Sequence, residues 1–127
     1  MSRCLITGHK GYIGTHLYKK LEEMGHEVRG IDLLEEEDIL DGLDHLTDFA
    51  PEYIFHLACI PRVAYSVDEP VHTAINNIIS TSIVLDFAKK VGAKRVVYSG
   101  SSSVIGNGDG PTSPYALQKL TSELETK

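Results

Sequence analysis

Hydrophobic positions in this chain form short unbroken runs, separated by segments in which they recur every three or four residues. Arg3 to Thr7 is one such run, closed by Gly8, and Leu17, Leu21 and Met24 then repeat at helical spacing until Gly25-His26 breaks the pattern. A strand followed by a helix is expected there. Glu27 to Asp32 reads as a second strand ending in an acid, which completes a βαβ unit. Asp38-Ile39-Leu40 is the candidate third strand, and Leu43, Leu46 and Phe49 mark a short helix that stops at Pro51. Tyr53 to Leu57 is a continuous apolar run suited to a fully buried parallel strand. The longest helical pattern spans Pro70 to Val91 with Gly92 as its C-terminal cap, and Arg95 to Tyr98 supplies a fifth strand. Ser99 to Pro114 reads as a polar loop, and Tyr115 to about Thr126 as the last helix. Strands alternating with helices at this spacing predict a doubly wound α/β domain around a parallel sheet.

A chain of 127 residues has room for one domain, so residues 1–127 are expected to form a single unit. Twelve Lys and Arg against eighteen Asp and Glu leave a net charge of -6, and the Glu35-Glu36-Glu37-Asp38 run concentrates it, which argues against nucleic-acid binding. The apolar runs fall short of a membrane span, and the N-terminal residues run straight into the first strand with no signal-peptide pattern. Cys4 and Cys59 lie in apolar segments without metal-like spacing. Together these features predict a cytoplasmic protein with reduced thiols, no metal and no membrane partner.

Gly8-His9-Lys10-Gly11-Tyr12-Ile13-Gly14 follows the first strand and opens the first helix. Glycines are needed where such a turn is tight, where backbone approaches a pyrophosphate, and where helix packs on strand. The helix N-terminus then offers free N–H groups to the phosphates. Asp32 comes eighteen residues after Gly14, at a strand end where an acid can accept hydrogen bonds from an adenosine ribose diol. That favours NAD. Lys10, Arg29 or Arg3 could instead meet a 2′-phosphate, which leaves NADP open.

Tyr115 and Lys119 stand four residues apart, hence on one face of the last helix. A neighbouring ammonium stabilises a phenolate, and a phenolate can take a proton from a hydroxyl while hydride leaves to a nicotinamide. Ser99, Ser101, Ser102 and Ser103 follow the fifth strand at the sheet edge that also carries the glycine loop, and one of their hydroxyls can bond the reacting oxygen. His56, inside an apolar run, reads as a packed strand histidine.

Taken in order, these segments resemble the extended short-chain dehydrogenase/reductase superfamily, the branch of nucleotide-sugar epimerases, dehydratases and reductases. The likeness rests on Thr7 to Gly14, Asp32, His56-Leu57-Ala58-Cys59, Asn77 with Thr81, Val97 to Ser101, and Tyr115 with Lys119. It implies a Rossmann-type sheet of about five strands in the order 3-2-1-4-5. It also implies NAD held by the glycine loop, Asp32, Leu57, Ala58, Cys59, Asn77, Ser99, Tyr115 and Lys119, with NADP as the other possibility. Tyr115 is then the acid/base, Lys119 holds the nicotinamide ribose, and Ser101, five residues before Gly106 in Val104-Ile105-Gly106, orients the substrate oxygen. Arg62, Ser66 and Ser102 become substrate candidates. Dehydratases of the family usually carry an Asp-Glu pair where this chain has Ser102-Ser103, so epimerase or reductase chemistry on a nucleotide sugar is expected ahead of dehydration. Family members continue past the Tyr-Lys helix into a substrate domain, which this sequence does not contain; a dinucleotide-binding module or half-enzyme is the competing expectation. The resemblance further implies a homodimer through the 70–91 and 115–126 helices, with Ile78, Ile79, Leu85, Leu117, Leu120 and Leu124 as apolar contacts.

Overall fold

The computed structural model describes residues 1–60, 63–106, 108 and 110–127, with Ser102 described for its backbone only. Among them the chain order is β1 (Arg3–Thr7), α1 (Tyr12–Glu23), β2 (Glu27–Ile31), β3 (Tyr53–His56), α2 (Val63–Asp68), α3 (Pro70–Ala74), α4 (Ser80–Val91), β4 (Arg95–Tyr98) and α5 (Pro114–Thr126). The strands form one parallel sheet in the order β2-β1-β3-β4. This is the expected doubly wound arrangement with four strands instead of five.

The missing strand is the one expected at Asp38-Ile39-Leu40. The Asp38 carboxylate accepts a hydrogen bond from the Leu40 N–H at 2.9 Å, and Ile39–Asp41 closes into a 3₁₀ turn. Asp32 does the same over Leu33–Glu35, and a third 3₁₀ turn at Asp44–Leu46 stands where a short helix is expected. Side-chain acceptors that satisfy nearby N–H groups compete with a strand ladder, and the two aspartates Asp32 and Asp38 let local turns win here. Ile39, Leu43, Leu46 and Phe49 nevertheless turn inward, as their spacing suggests. Two further differences lie after β3. Val63–Asp68, for which the sequence pattern predicts no element, forms the short α2, and the 70–91 helix is interrupted by a π-helical turn at Ile75–Ile79.

The chain divides into two compact units, Met1–Ala58 with Ile83–Ser99, and Cys59–Ser82 with Gly100–Lys127. The first contains the sheet. Alternation along β1 sends Leu5 to one face, where it packs with Ile31, Ile54, Leu43 and the Val84, Phe87 and Ala88 stripe of α4. Cys4 and Ile6 go to the other face, against Val28, Leu21 and the half-buried Leu17 and Tyr18 of α1. Burial pushes the Cys4 thiol above its ordinary range, with the Glu52 charge adding to it, so the group is a small apolar filler. The second unit is helical, and its buried residues include Ser66, Thr73, Asn77, Ser80, Thr81, Gln118, Lys119 and Ser122. No helix among the described residues is long and apolar enough to cross a membrane.

Candidate functional site

Parallel register brings the ends of all four strands to one edge: Thr7 pairs with both Ile31 and His56, and His56 with Tyr98. In an open α/β sheet ligands bind at this carboxyl edge. Gly8 leaves β1 with φ +77°, a conformation that only glycine adopts without strain, and its N–H bonds the Ile31 carbonyl at 2.8 Å. A Cβ on Gly14 would lie 2.1 Å from the Gly8 carbonyl oxygen, so the first turn of α1 sits on the loop at a distance that no side chain tolerates. Gly11 caps α1 without any side-chain hydrogen bond, which leaves the helix N-terminus open to an anion. Lys10, Tyr12 and Ile13 are exposed around it.

Asp32 stands at the end of β2. Its Oδ2 accepts the Lys10 N–H at 2.9 Å and its Oδ1 the Leu34 N–H at 2.9 Å, and these bonds fix the carboxylate beside the glycine loop. Each oxygen retains a lone pair for a further donor. The three cations considered as 2′-phosphate partners are all engaged. Arg3 begins β1 at the opposite edge, with Nε bonded to the Ala50 carbonyl at 3.0 Å and Nη1 3.6 Å from Glu52. Arg29 lies over the Phe49 ring at 5.0 Å, and Lys10 Nζ is 4.0 Å from Glu35.

The loop after β3 is pegged by Thr7. Its Oγ1 accepts the Leu57 and Ala58 N–H groups at 3.1 Å each and lies 2.7 Å from His56 Nδ1. The histidine is a buried strand residue, in keeping with its sequence reading. Ala58 backbone comes within 3.1 Å of where a Gly8 Cβ would stand, so the two loops touch through backbone. Ser99 continues from β4 at the same edge, its N–H 3.3 Å from the His56 carbonyl.

In the second unit, α5 starts at Ser113, whose Oγ accepts the Ala116 N–H at 3.1 Å, with Pro114 at the first helical position. Its buried residues, Tyr115, Ala116, Gln118, Lys119 and Ser122, fall on one helix face, while Leu117 and Leu124 are 54% and 60% exposed. The usual amphipathic order is therefore reversed, with the polar face inward. Tyr115 is 9% exposed and Lys119 4% exposed, and the Lys119 ammonium donates toward Cys59 Sγ at 3.8 Å. Asn77, in the π-helical turn, clamps the backbone of one residue of the loop after β3. Its Oδ1 accepts the Ile60 N–H at 2.7 Å and its Nδ2 donates to the Ile60 carbonyl at 3.1 Å.

The remaining candidates have more local surroundings. Ser101 caps a 3₁₀ turn over Ser102–Ile105, with Oγ accepting the Ser103 N–H at 3.2 Å and lying 2.8 Å from Ser103 Oγ. Ser66, offered by the sequence as a substrate contact, is fully buried. Its hydroxyl donates to the Val63 carbonyl and accepts the Tyr115 N–H at 2.9 Å, so it holds the start of α5. Arg62 and the Ser102 side chain lie outside the described residues. Sequence reading missed Gln118, which links Asn77 Nδ2 (2.9 Å) to Thr73 Oγ1 (2.9 Å). Its position three residues after Tyr115, on the same helix face, was the available signal.

A glycine turn at the carboxyl edge of the sheet, an acid at the end of β2 and a buried Tyr-x-x-x-Lys face are features of a dinucleotide-dependent class of α/β protein. The model of the NAD dependent epimerase/dehydratase family matches residues 4–127, and the chain belongs to that family. It is 33% identical to the UDP-glucose 4-epimerase of Mycolicibacterium smegmatis, over 96% of this chain and 49% of that protein. The structure resembles that of UDP-glucose 4-epimerase from Brucella ovis in complex with NAD at a TM-score of 0.90 and 26% identity, covering 98% of this chain and 46% of that one. It also resembles UDP-N-acetylglucosamine 4-epimerase from Methanobrevibacter ruminantium in complex with UDP-N-acetylmuramic acid, with TM-score 0.87 and 29% identity over 98% of this chain and 49% of that one. The chain thus spans about half the length of these relatives.

Proposed function

We infer that residues 1–127 act as one NAD-binding domain that carries the proton-transfer residues of a nucleotide-sugar epimerase or reductase. The carrying observation is the inward polar face of α5, which buries Tyr115 and Lys119 four residues apart. The residues present fit the cofactor: Gly8 turns with a positive φ, Gly14 leaves no room for a Cβ, α1 has no capping side chain, and Asp32 has lone pairs to spare. In this reading the N–H groups of the first turn of α1 bind the pyrophosphate and Asp32 accepts from the adenosine ribose. Bound NAD supplies the hydride acceptor. The Tyr115 phenolic oxygen takes the proton of a sugar hydroxyl, Ser101 orients that oxygen, and the Lys119 ammonium bonds the ribose and stabilises the phenolate. Leu57, Ala58 and Cys59 line the cofactor, and Asn77 acts by holding the Ile60 backbone.

The same reading makes the protein a homodimer through the 70–91 and 115–126 helices, supported by the exposure of Ile79, Leu117 and Leu124. Cytoplasmic residence fits two free thiols. The second reading is a dinucleotide-binding module without turnover of its own.

Calorimetric titration with NAD, NADH, NADP and NADPH, repeated with UDP-glucose and UDP-N-acetylglucosamine present, separates the two. NAD binding tightened by a nucleotide sugar supports the enzyme; cofactor binding indifferent to sugars supports the module. Tyr115→Phe is expected to lower any turnover by roughly 10²–10⁴-fold while NAD affinity holds within about twofold. Turnover that survives the substitution removes Tyr115 from the acid/base role.

A further inference from the structure

His9 and Glu35 form a contact that a glycine loop does not require. The His9 ring is buried, packs over Gly30 and lies 5.7 Å from the Tyr18 ring, and its Nε2 contacts Glu35 Oε1. Its Nδ1 has no hydrogen-bond partner among the described residues, so that contact is the ring's one polar anchor. Glu35 ends the 3₁₀ turn that Asp32 caps. The same Glu35 oxygen stands 4.0 Å from Lys10 Nζ, while the Lys10 backbone N–H bonds Asp32. A second carboxylate is therefore tethered beside the acid that would meet the adenosine ribose.

We propose that Glu35, positioned by His9, is a specificity-determining residue that rejects dinucleotides carrying a 2′-phosphate. The proposal rests on the reading that the glycine loop binds a dinucleotide. A ribose diol donates to Asp32, and no further charge is needed. A 2′-phosphate brings about -1.5 to -2 charges to the same place. Lys10 is the nearby cation able to offset them, and Glu35 already faces its ammonium. Glu35 thus acts twice, by adding repulsion and by occupying the compensating charge. The neutral diol of NAD feels neither effect.

Glu35→Gln keeps the side-chain shape and removes the charge. The ratio of the NADP to the NAD dissociation constant, measured by calorimetry, is expected to fall about tenfold, the effect of one unit charge a few ångströms away at a partly exposed site. His9→Phe keeps a ring over Gly30 without the Nε2 contact, and should shift the ratio in the same direction by less. Salt supplies an independent readout: in the unsubstituted protein, raising ionic strength should narrow the gap between NADP and NAD, and in Glu35→Gln this narrowing should shrink. An unchanged ratio and unchanged salt response, with NAD still bound, overturn the assignment of Glu35 alone. Binding of neither dinucleotide by the unsubstituted chain overturns the glycine-loop reading, and the assignment falls with it.

Discussion

Gly30 occupies a strand position where a β-branched residue would ordinarily be better, and the reason lies twenty-one residues earlier in the chain. A Cβ at Gly30 would stand 2.0 Å from His9 Cγ and 2.2 Å from Nδ1. Gly30→Ala therefore has to expel the ring, lose its contact with Glu35 and open the packing over β2, at an expected cost of about 1–3 kcal/mol in urea unfolding. The same substitution in a His9→Ala background should cost close to nothing. A double-mutant cycle that returns additive values would show that His9 is not what restricts Gly30. Such through-space restrictions mark the boundary of what single residues reveal. Gly8, Gly11, Gly14 and Asp32 could be read from the chain because their spacing is local to one strand-turn-helix unit. The conformational need of Gly8 and the contact distance at Gly14 then follow from that geometry. Gly30 carried no such local pattern, and the bonding role of Thr7 was hidden because its three partners lie some fifty residues away.

At the level of elements, periodicity located the strands well because each is a compact apolar run, buried on both faces in β1 and only partly covered in β4. It failed at Asp38 to Leu40, where carboxylates bonding their own backbone outbid a ladder, and it gave no hint of the π-helical turn at Ile75–Ile79. That turn depends on partners. The Asn77 carbonyl accepts the Thr81 hydroxyl at 3.0 Å and the Ser122 hydroxyl at 2.9 Å, and the Asn77 side chain is divided between Ile60 and Gln118. π turns recur at functional sites because they aim one side chain away from the regular helical path. Here the side chain so aimed is the one that clamps the loop carrying Cys59. Gln118→Leu removes the amide that joins this clamp to α5, leaving one buried Asn77 N–H without an acceptor and Thr73 Oγ1 without a donor, although the Thr73 hydroxyl still donates to the Glu69 carbonyl. The expected loss is about 2 kcal/mol in thermal or urea unfolding. It should be accompanied by faster hydrogen exchange at the Ile60 amide, as Asn77 is released to reorient. Destabilisation with Ile60 protection intact would mean that Asn77 holds its clamp without Gln118.

For the whole molecule, the open question is what covers the apolar surface that the inward polar face of α5 leaves outside. Leu117 and Leu124 face out on α5, and Val71, Ile75 and Ile79 are exposed along the 70–79 segment, where Pro70, Val71, Ala74, Ile75, Ile78 and Ile79 line a shallow apolar groove of about 370 Å³. Burying a side chain of this kind contributes about 1.5–3 kcal/mol, and association costs on the order of 4–15 kcal/mol in lost freedom. Several such residues from each of two copies are enough to tip that balance, whereas one or two are not. A second copy of the chain fits better than a polar partner because the exposed residues are uncharged and a two-fold axis would place like against like. Light scattering at micromolar concentration is therefore expected to give the dimer mass. Ile79→Glu would carry a charge into the groove and should raise the dissociation constant by at least about a hundredfold, since an unpaired buried charge costs several kcal/mol. Ile79 is remote in role from Tyr115 and Lys119, so the substituted monomer should retain its helical content by circular dichroism. A chain that is monomeric before substitution, at concentrations well above micromolar, would assign the outward face of α5 to some contact other than self-association.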